Sequence, residues 1–123
     1  MSVSPPDVTD DEKPQVWDDF NDRVNMTPKE LEDWLGTDES KAAGWHGSDG
    51  GQEESTGHEM GRHLVEVKRT KKGDLTDEQY GYMKKAVNYI GRHSKQRPDR
   101  SDEELADMTW THSLKNWGHD PLK

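Results

Sequence analysis

Apolar residues along this chain recur at helical spacing. Val16, Trp17, Phe20 and Val24 share one face of a helix that Pro14 can open, with Asp18, Asp19 and Asp22 on the other side and an end at Asn25 and Met26. Thr27-Pro28-Lys29-Glu30 supplies an N-cap, a proline in the first turn and an acid three residues after the cap. It predicts a second short helix that presents Leu31, Trp34 and Leu35 and closes at a left-handed Gly36. From Thr37 to Thr56 only Ala42, Ala43 and Trp45 are apolar, among Gly44, Gly47, Gly50 and Gly51, so a mobile loop is expected.

A third helix is expected from about His58 to Lys72, with Met60, Leu64 and Val67 as its buried stripe and Gly73 as its stop. Thr76 and Gln79 form the frame of a capping box, after which Tyr80, Met83, Val87 and Ile90 follow on one face of a fourth helix. Beyond Pro98, Ser101-Asp102-Glu103-Glu104 opens a fifth helical segment carrying Leu105, Met108, Trp110, Leu114 and Trp117 up to Gly118. No run alternates with period two and no internal repeat is visible. The predicted fold is therefore all-α. It is a small bundle of about five helices forming a single helical domain over residues 15–123, with a glycine-rich loop at about 37–56, behind a disordered acidic, proline-rich tail over 1–14.

Composition limits how much of this can be ordered. Only 27% of the 123 residues are hydrophobic and the mean hydropathy is −1.32, too little apolar material for a large core. No segment approaches the roughly 18 apolar residues of a membrane span, and Met1 to Gln15 is acidic and proline-rich where a secretion signal would be apolar. The expectation is an intracellular protein with no membrane partner, cytoplasmic or nucleoid, or nuclear if its host is eukaryotic. With no cysteine, a disulfide framework, a thiolate metal site and a cysteine nucleophile are excluded.

The net charge of −9 is unevenly spread. Residues 1–61 hold 16 acids and 4 bases, residues 62–100 hold 5 acids and 11 bases, and residues 101–123 hold 5 acids and 2 bases. A polyanion meets a local surface, and the middle third offers a basic one. On a helical wheel with Lys84 at zero, Lys95, Asn88, Arg92 and Lys85 fall at about 20°, 40°, 80° and 100°, whereas Tyr80, Met83, Val87 and Ile90 fall between about 240° and 320°. The basic edge thus points away from the core, with Tyr82 and Tyr89 at about 160° and 140°. Lys68, Arg69, Lys71 and Lys72 end the preceding helix, and a tight Gly73-Asp74-Leu75 link joins the two in a helix-turn-helix-like layout. The same cations also have ordinary uses, complementing a helix dipole and solvating an outer face. Lys68-Arg69-Thr70-Lys71-Lys72 further matches a short nuclear-import cluster.

Other chemistries find less support. In His58-Glu59-Met60-Gly61-Arg62-His63 the histidines are five apart, about 140° apart on a helix, and cannot chelate together as in a zinc-protease signature. His46, His93, His112 and His119 are scattered, and no metal is expected. No glycine-flanked serine elbow and no phosphate loop occurs, so no enzyme, no cofactor and no small-molecule substrate are expected. Of the five tryptophans, Trp17, Trp34, Trp110 and Trp117 suit core positions, while Trp45 in the glycine-rich loop is either an anchor or an exposed contact.

Asn25-Met26-Thr27, Lys72-Gly73-Asp74-Leu75-Thr76, Arg92-His93-Ser94-Lys95-Gln96-Arg97-Pro98 and above all the ending Trp110 through Lys123 resemble a family of small uncharacterised bacterial and fungal proteins. Its members often carry the label DNA-binding protein. The resemblance covers about residues 15–123 and implies a helical domain and that label, with no established functional residues to carry over; the glycine-rich stretch near 41–56 departs from shorter members. Gly118 can stop the last helix, and Asp120-Pro121 favours a turn that folds Leu122 back onto the core, or else forms a contact motif for another protein.

The first functional expectation is a non-enzymatic nucleic-acid-binding module that contacts phosphates through Lys68, Arg69, Lys71, Lys72, Lys84, Lys85, Arg92, Lys95 and Arg97. With about six phosphates neutralised, its affinity would fall with nearly the sixth power of salt. The alternative is a protein-interaction module in which the acidic half of one copy meets the basic segment of another, giving a homo-oligomer.

Overall fold

Side-chain caps set the helix starts. The computed structural model of the chain describes residues 5–43 and 55–123, all-helical apart from turns and links. Thr27 and Thr76 each close a full capping box, with Glu30 and Gln79, and open α2 (Pro28–Leu35) and α5 (Asp77–Ser94). Ser55 caps α4 (Thr56–Arg69) by accepting from the His58 N–H at 3.1 Å. α1 (Lys13–Arg23) has no side-chain cap but carries Pro14 in its first turn.

Three further elements depart from the sequence reading. α3 (Asp38–Ala42), capped by Thr37, stands inside the stretch read as a loop. Its inward residue is a serine, Ser40, fully buried and hydrogen-bonded to Asn116, so apolar spacing gave no sign of it. Gly36 has φ −80°, not a left-handed value, because the chain turns directly into the Thr37 cap. The last helical segment is broken at Asp107 and Met108 into α6 (Asp102–Ala106) and α7 (Thr109–Asn116). On an unbroken helix Leu105 and Leu114 would lie about 180° apart. The break turns both inward, and both are fully buried. α4 stops at Arg69, three residues early, and Lys72–Asp74 form a single 3₁₀ turn before α5. Trp45 and His46 lie outside the described residues.

α1 packs along α5, α2 along α4, and α4 against α5; α7 closes over α2, α3 and α4. Phe20, Val24, Leu31, Met60, Leu64, Met83, Ile90 and Leu114 fill the space between them, each at most 2% exposed. Each large apolar side chain so buried contributes about 1.5–3 kcal/mol. Tyr82, at about 160° on the helical wheel, outside the predicted apolar stripe, is 6% exposed because its ring stacks on His63 of α4, 4.1 Å between centroids. Trp117 is buried, while Trp17, Trp34 and Trp110 pack half-buried against the core.

The segment after α7 docks on the α1–α2 link. Gly118 adopts φ +85°, where a Cβ would also lie 2.7 Å from Val24 Cγ1, so both backbone and space require glycine. Its carbonyl accepts from the Met26 N–H at 3.2 Å, and His119 Nδ1 lies 2.6 Å from the Arg23 carbonyl. The Asn25 amide donates to the Asp120 carbonyl at 3.0 Å and accepts from the Asp120 N–H at 2.8 Å. Two distant parts of the resemblance, Asn25-Met26-Thr27 and Trp117 to Asp120, thus form one joint.

Candidate nucleic-acid interface

The helix-dipole and packing needs of α4 account for much of its basic end. Lys68 is half-buried: its ammonium donates to the Val24 carbonyl at 3.1 Å and sits 5.9 Å above the Phe20 ring. Burial, with the Lys123 charge second, pushes its pKa below the usual lysine value, partly offset by Glu30. Arg69 pairs with Glu32 at 2.6 Å, and Lys72 lies 4.9 Å above the Trp17 ring. Lys71 is exposed in the turn, with no ion pair among the described residues.

On α5, Lys84 is paired with Glu12 at 2.7 Å and is only 29% exposed. That hydrogen bond, with the Thr9 N–H second, holds the Glu12 pKa below the usual glutamate value. Arg97, past the helix end, pairs with Asp102 at 3.1 Å, donates to the Pro121 carbonyl and covers Trp110. Of the nine sequence-predicted residues, five therefore carry bonds or ring contacts within the domain: Lys68, Arg69, Lys72, Lys84 and Arg97.

Lys85, Arg92 and Lys95 are different. Together with Asn88 and Gly81 they fall within about 80° of the α5 circumference, a single stripe along the helix. Among the described residues none of the three has a carboxylate oxygen within 4.0 Å. Asn88, Arg92 and Lys95 are exposed and Lys85 is half-exposed. Lys71, nearer the start of α5, is not part of this stripe. Lys85, Asn88 and Arg92 line a shallow groove of about 300 Å³ whose opposite wall is Pro5 and Pro6.

That wall comes from the stretch read as a disordered tail. Residues 5–12 lie across α5, Val8 packs against the core, and Pro5 and Pro6 rest on Gly81. The signal for this contact was present in the sequence as a glycine in the middle of an otherwise strong helix, which is costly unless something approaches closely. Among the described residues no three His, Asp or Glu side chains gather in a metal-binding cluster. His58 Nε2 instead lies 2.7 Å from the Leu35 carbonyl, and His63 stacks on Tyr82. Among the described residues no helix is long and apolar enough to cross a membrane.

A family model described as "Protein of unknown function (DUF3140)" matches residues 19–115, and the chain belongs to that family. No curated protein and no solved structure matches the chain.

Proposed function

We propose that this DUF3140 chain is a non-enzymatic nucleic-acid-binding module, DNA being its first candidate ligand, and that it contacts phosphates along α5. The observation behind this reading is the stripe of three cations along α5, Lys85, Arg92 and Lys95, that have no ion pair among the described residues, whereas Lys84, Arg69 and Arg97 are paired. Phosphates attract such a stripe without needing a cleft, and Asn88 between Lys85 and Arg92 has the donor and acceptor set that reads a base edge. About three phosphate contacts give a salt dependence near the third power, shallower than the sixth power expected if all the basic residues were available.

The test is a duplex of about 20 base pairs titrated with protein at about 50 mM salt and followed by fluorescence anisotropy. Lys85→Glu with Arg92→Glu weakens binding sharply, whereas Lys29→Glu with Arg100→Glu, an equal charge change at paired cations elsewhere, weakens it far less. Equal losses in both double variants would reject the α5 edge.

A second reading has its own observation: Asp18 and Asp22 stand exposed on α1, the helix beside α5. An acidic α1 face could meet the basic edge of a second copy. A mass by light scattering that stays monomeric at low and high salt removes this alternative.

A further inference from the structure

We propose that residues 5–12 are a resident competitor for the basic edge of α5, and that a polyanion binds fully only when this segment lifts away. The inference rests on the nucleic-acid reading above and adds its regulation. Pro5 and Pro6 form one wall of the groove whose other members, Lys85, Asn88 and Arg92, are the same residues offered to phosphate. The seat is built for them, since a Cβ on Gly81 would come within 2.7 Å of the Pro5 Cβ and closer still to the Pro6 carbonyl.

The segment also brings charge. Asp7, Asp10, Asp11 and Glu12 put four acids into the short segment whose Pro5 and Pro6 line that groove. Glu12 goes further and takes Lys84 out of that edge through the 2.7 Å ion pair, its carboxylate steadied by the Thr9 N–H and hydroxyl at 3.1 and 3.2 Å. Lys13 bridges Asp10 at 2.8 Å and Asp77 at 2.6 Å, tying the end of the segment to the start of α5. Each of these pairs is solvent-accessible, so each is individually weak and screened by salt. The hold is therefore weak but standing, and its release frees Lys84 to take a phosphate oxygen in place of the Glu12 carboxylate, raising the contacts from three cations to four.

The experiment uses the full chain with Gly81→Ala and Glu12→Gln together. The first change pushes Pro5 and Pro6 off α5 while improving its helix propensity, and the second frees Lys84. Circular dichroism confirms that the variant is folded. Pro5→Gly with Pro6→Gly and Glu12→Gln is the second variant, and it leaves α5 untouched. At about 0.1 M salt one added phosphate contact strengthens binding about eightfold, and the salt exponent steepens by about one. Both gains are expected for the 20-base-pair duplex in either variant. Identical affinity and exponent in wild type and variants would overturn the competitor while leaving the α5 edge standing. An equal gain from Glu103→Gln, an exposed acid on α6, would also overturn it, because net charge alone would then explain the effect. Absence of binding by every form would reject the α5 reading and this inference with it.

Discussion

Asn116→Ala should be among the most damaging polar substitutions in this domain. The Asn116 side chain is fully buried at the end of α7, where its Oδ1 accepts from the Trp34 indole N–H at 2.8 Å and from the Ser40 hydroxyl, and its Nδ2 donates to the Ser40 carbonyl at 3.0 Å. Truncation leaves the Ser40 hydroxyl and carbonyl unpartnered in a site with no exposure, and each such group costs about 1–3 kcal/mol. Trp34 is half-exposed and its N–H can turn to water, so it adds little. The expected loss is about 3–5 kcal/mol, a large share of the 5–15 kcal/mol total of a typical domain. For a chain of this size that lowers the melting temperature by about 10–20 °C. Thermal and urea unfolding followed by far-ultraviolet circular dichroism measure it. A loss under about 1 kcal/mol would refute the reasoning, since α3 would then not depend on its tie to α7.

Three further outcomes are expected. Gly118→Ala forces a side chain into the left-handed region and against Val24, and should cost about 1–3 kcal/mol in urea unfolding; a neutral result would mean the joint rearranges freely. Lys68→Met keeps the buried stem but removes the bond to the Val24 carbonyl, and should lower stability by about 1 kcal/mol while duplex affinity stays within about twofold. A large loss of affinity would return Lys68 to the contact surface. Glu30 is held down to about 2 from 4.5, first by the Lys123 ammonium and then by the Thr27 N–H. Because the folded pKa is the lower one, its contribution is present above about 4.5 and lost as pH falls towards 2. Glu30→Gln should flatten the melting temperature over that window, and parallel curves for wild type and variant would contradict the assignment.

How much of this was legible in the sequence depends on the range of each cause. α2, α4 and α5 were readable because caps and apolar stripes act within a few residues, as Thr27, Thr76 and the Met60, Leu64, Val67 series do. α3 was not, because its five residues are mostly polar and its hold is a hydrogen bond to a residue 76 positions away. The break between α6 and α7 likewise answers to burial, since Leu105 and Leu114 are both fully buried and an unbroken helix would set them about 180° apart, and not to any local breaker. At the site, the wheel put Lys84, Lys85, Asn88, Arg92 and Lys95 on one edge of the helix. It had no access to Glu12, 72 positions from Lys84, or to the Val24 carbonyl, 44 from Lys68, and those long-range partners separate engaged cations from free ones.

The slope of log affinity against log salt for the 20-base-pair duplex tests the central claim most directly. Over about 50 to 200 mM salt, the account predicts an exponent near −3 for the wild-type chain, falling to about −1 in Lys85→Glu with Arg92→Glu. An exponent unchanged by that reversal, or no binding at the lowest salt, would contradict it.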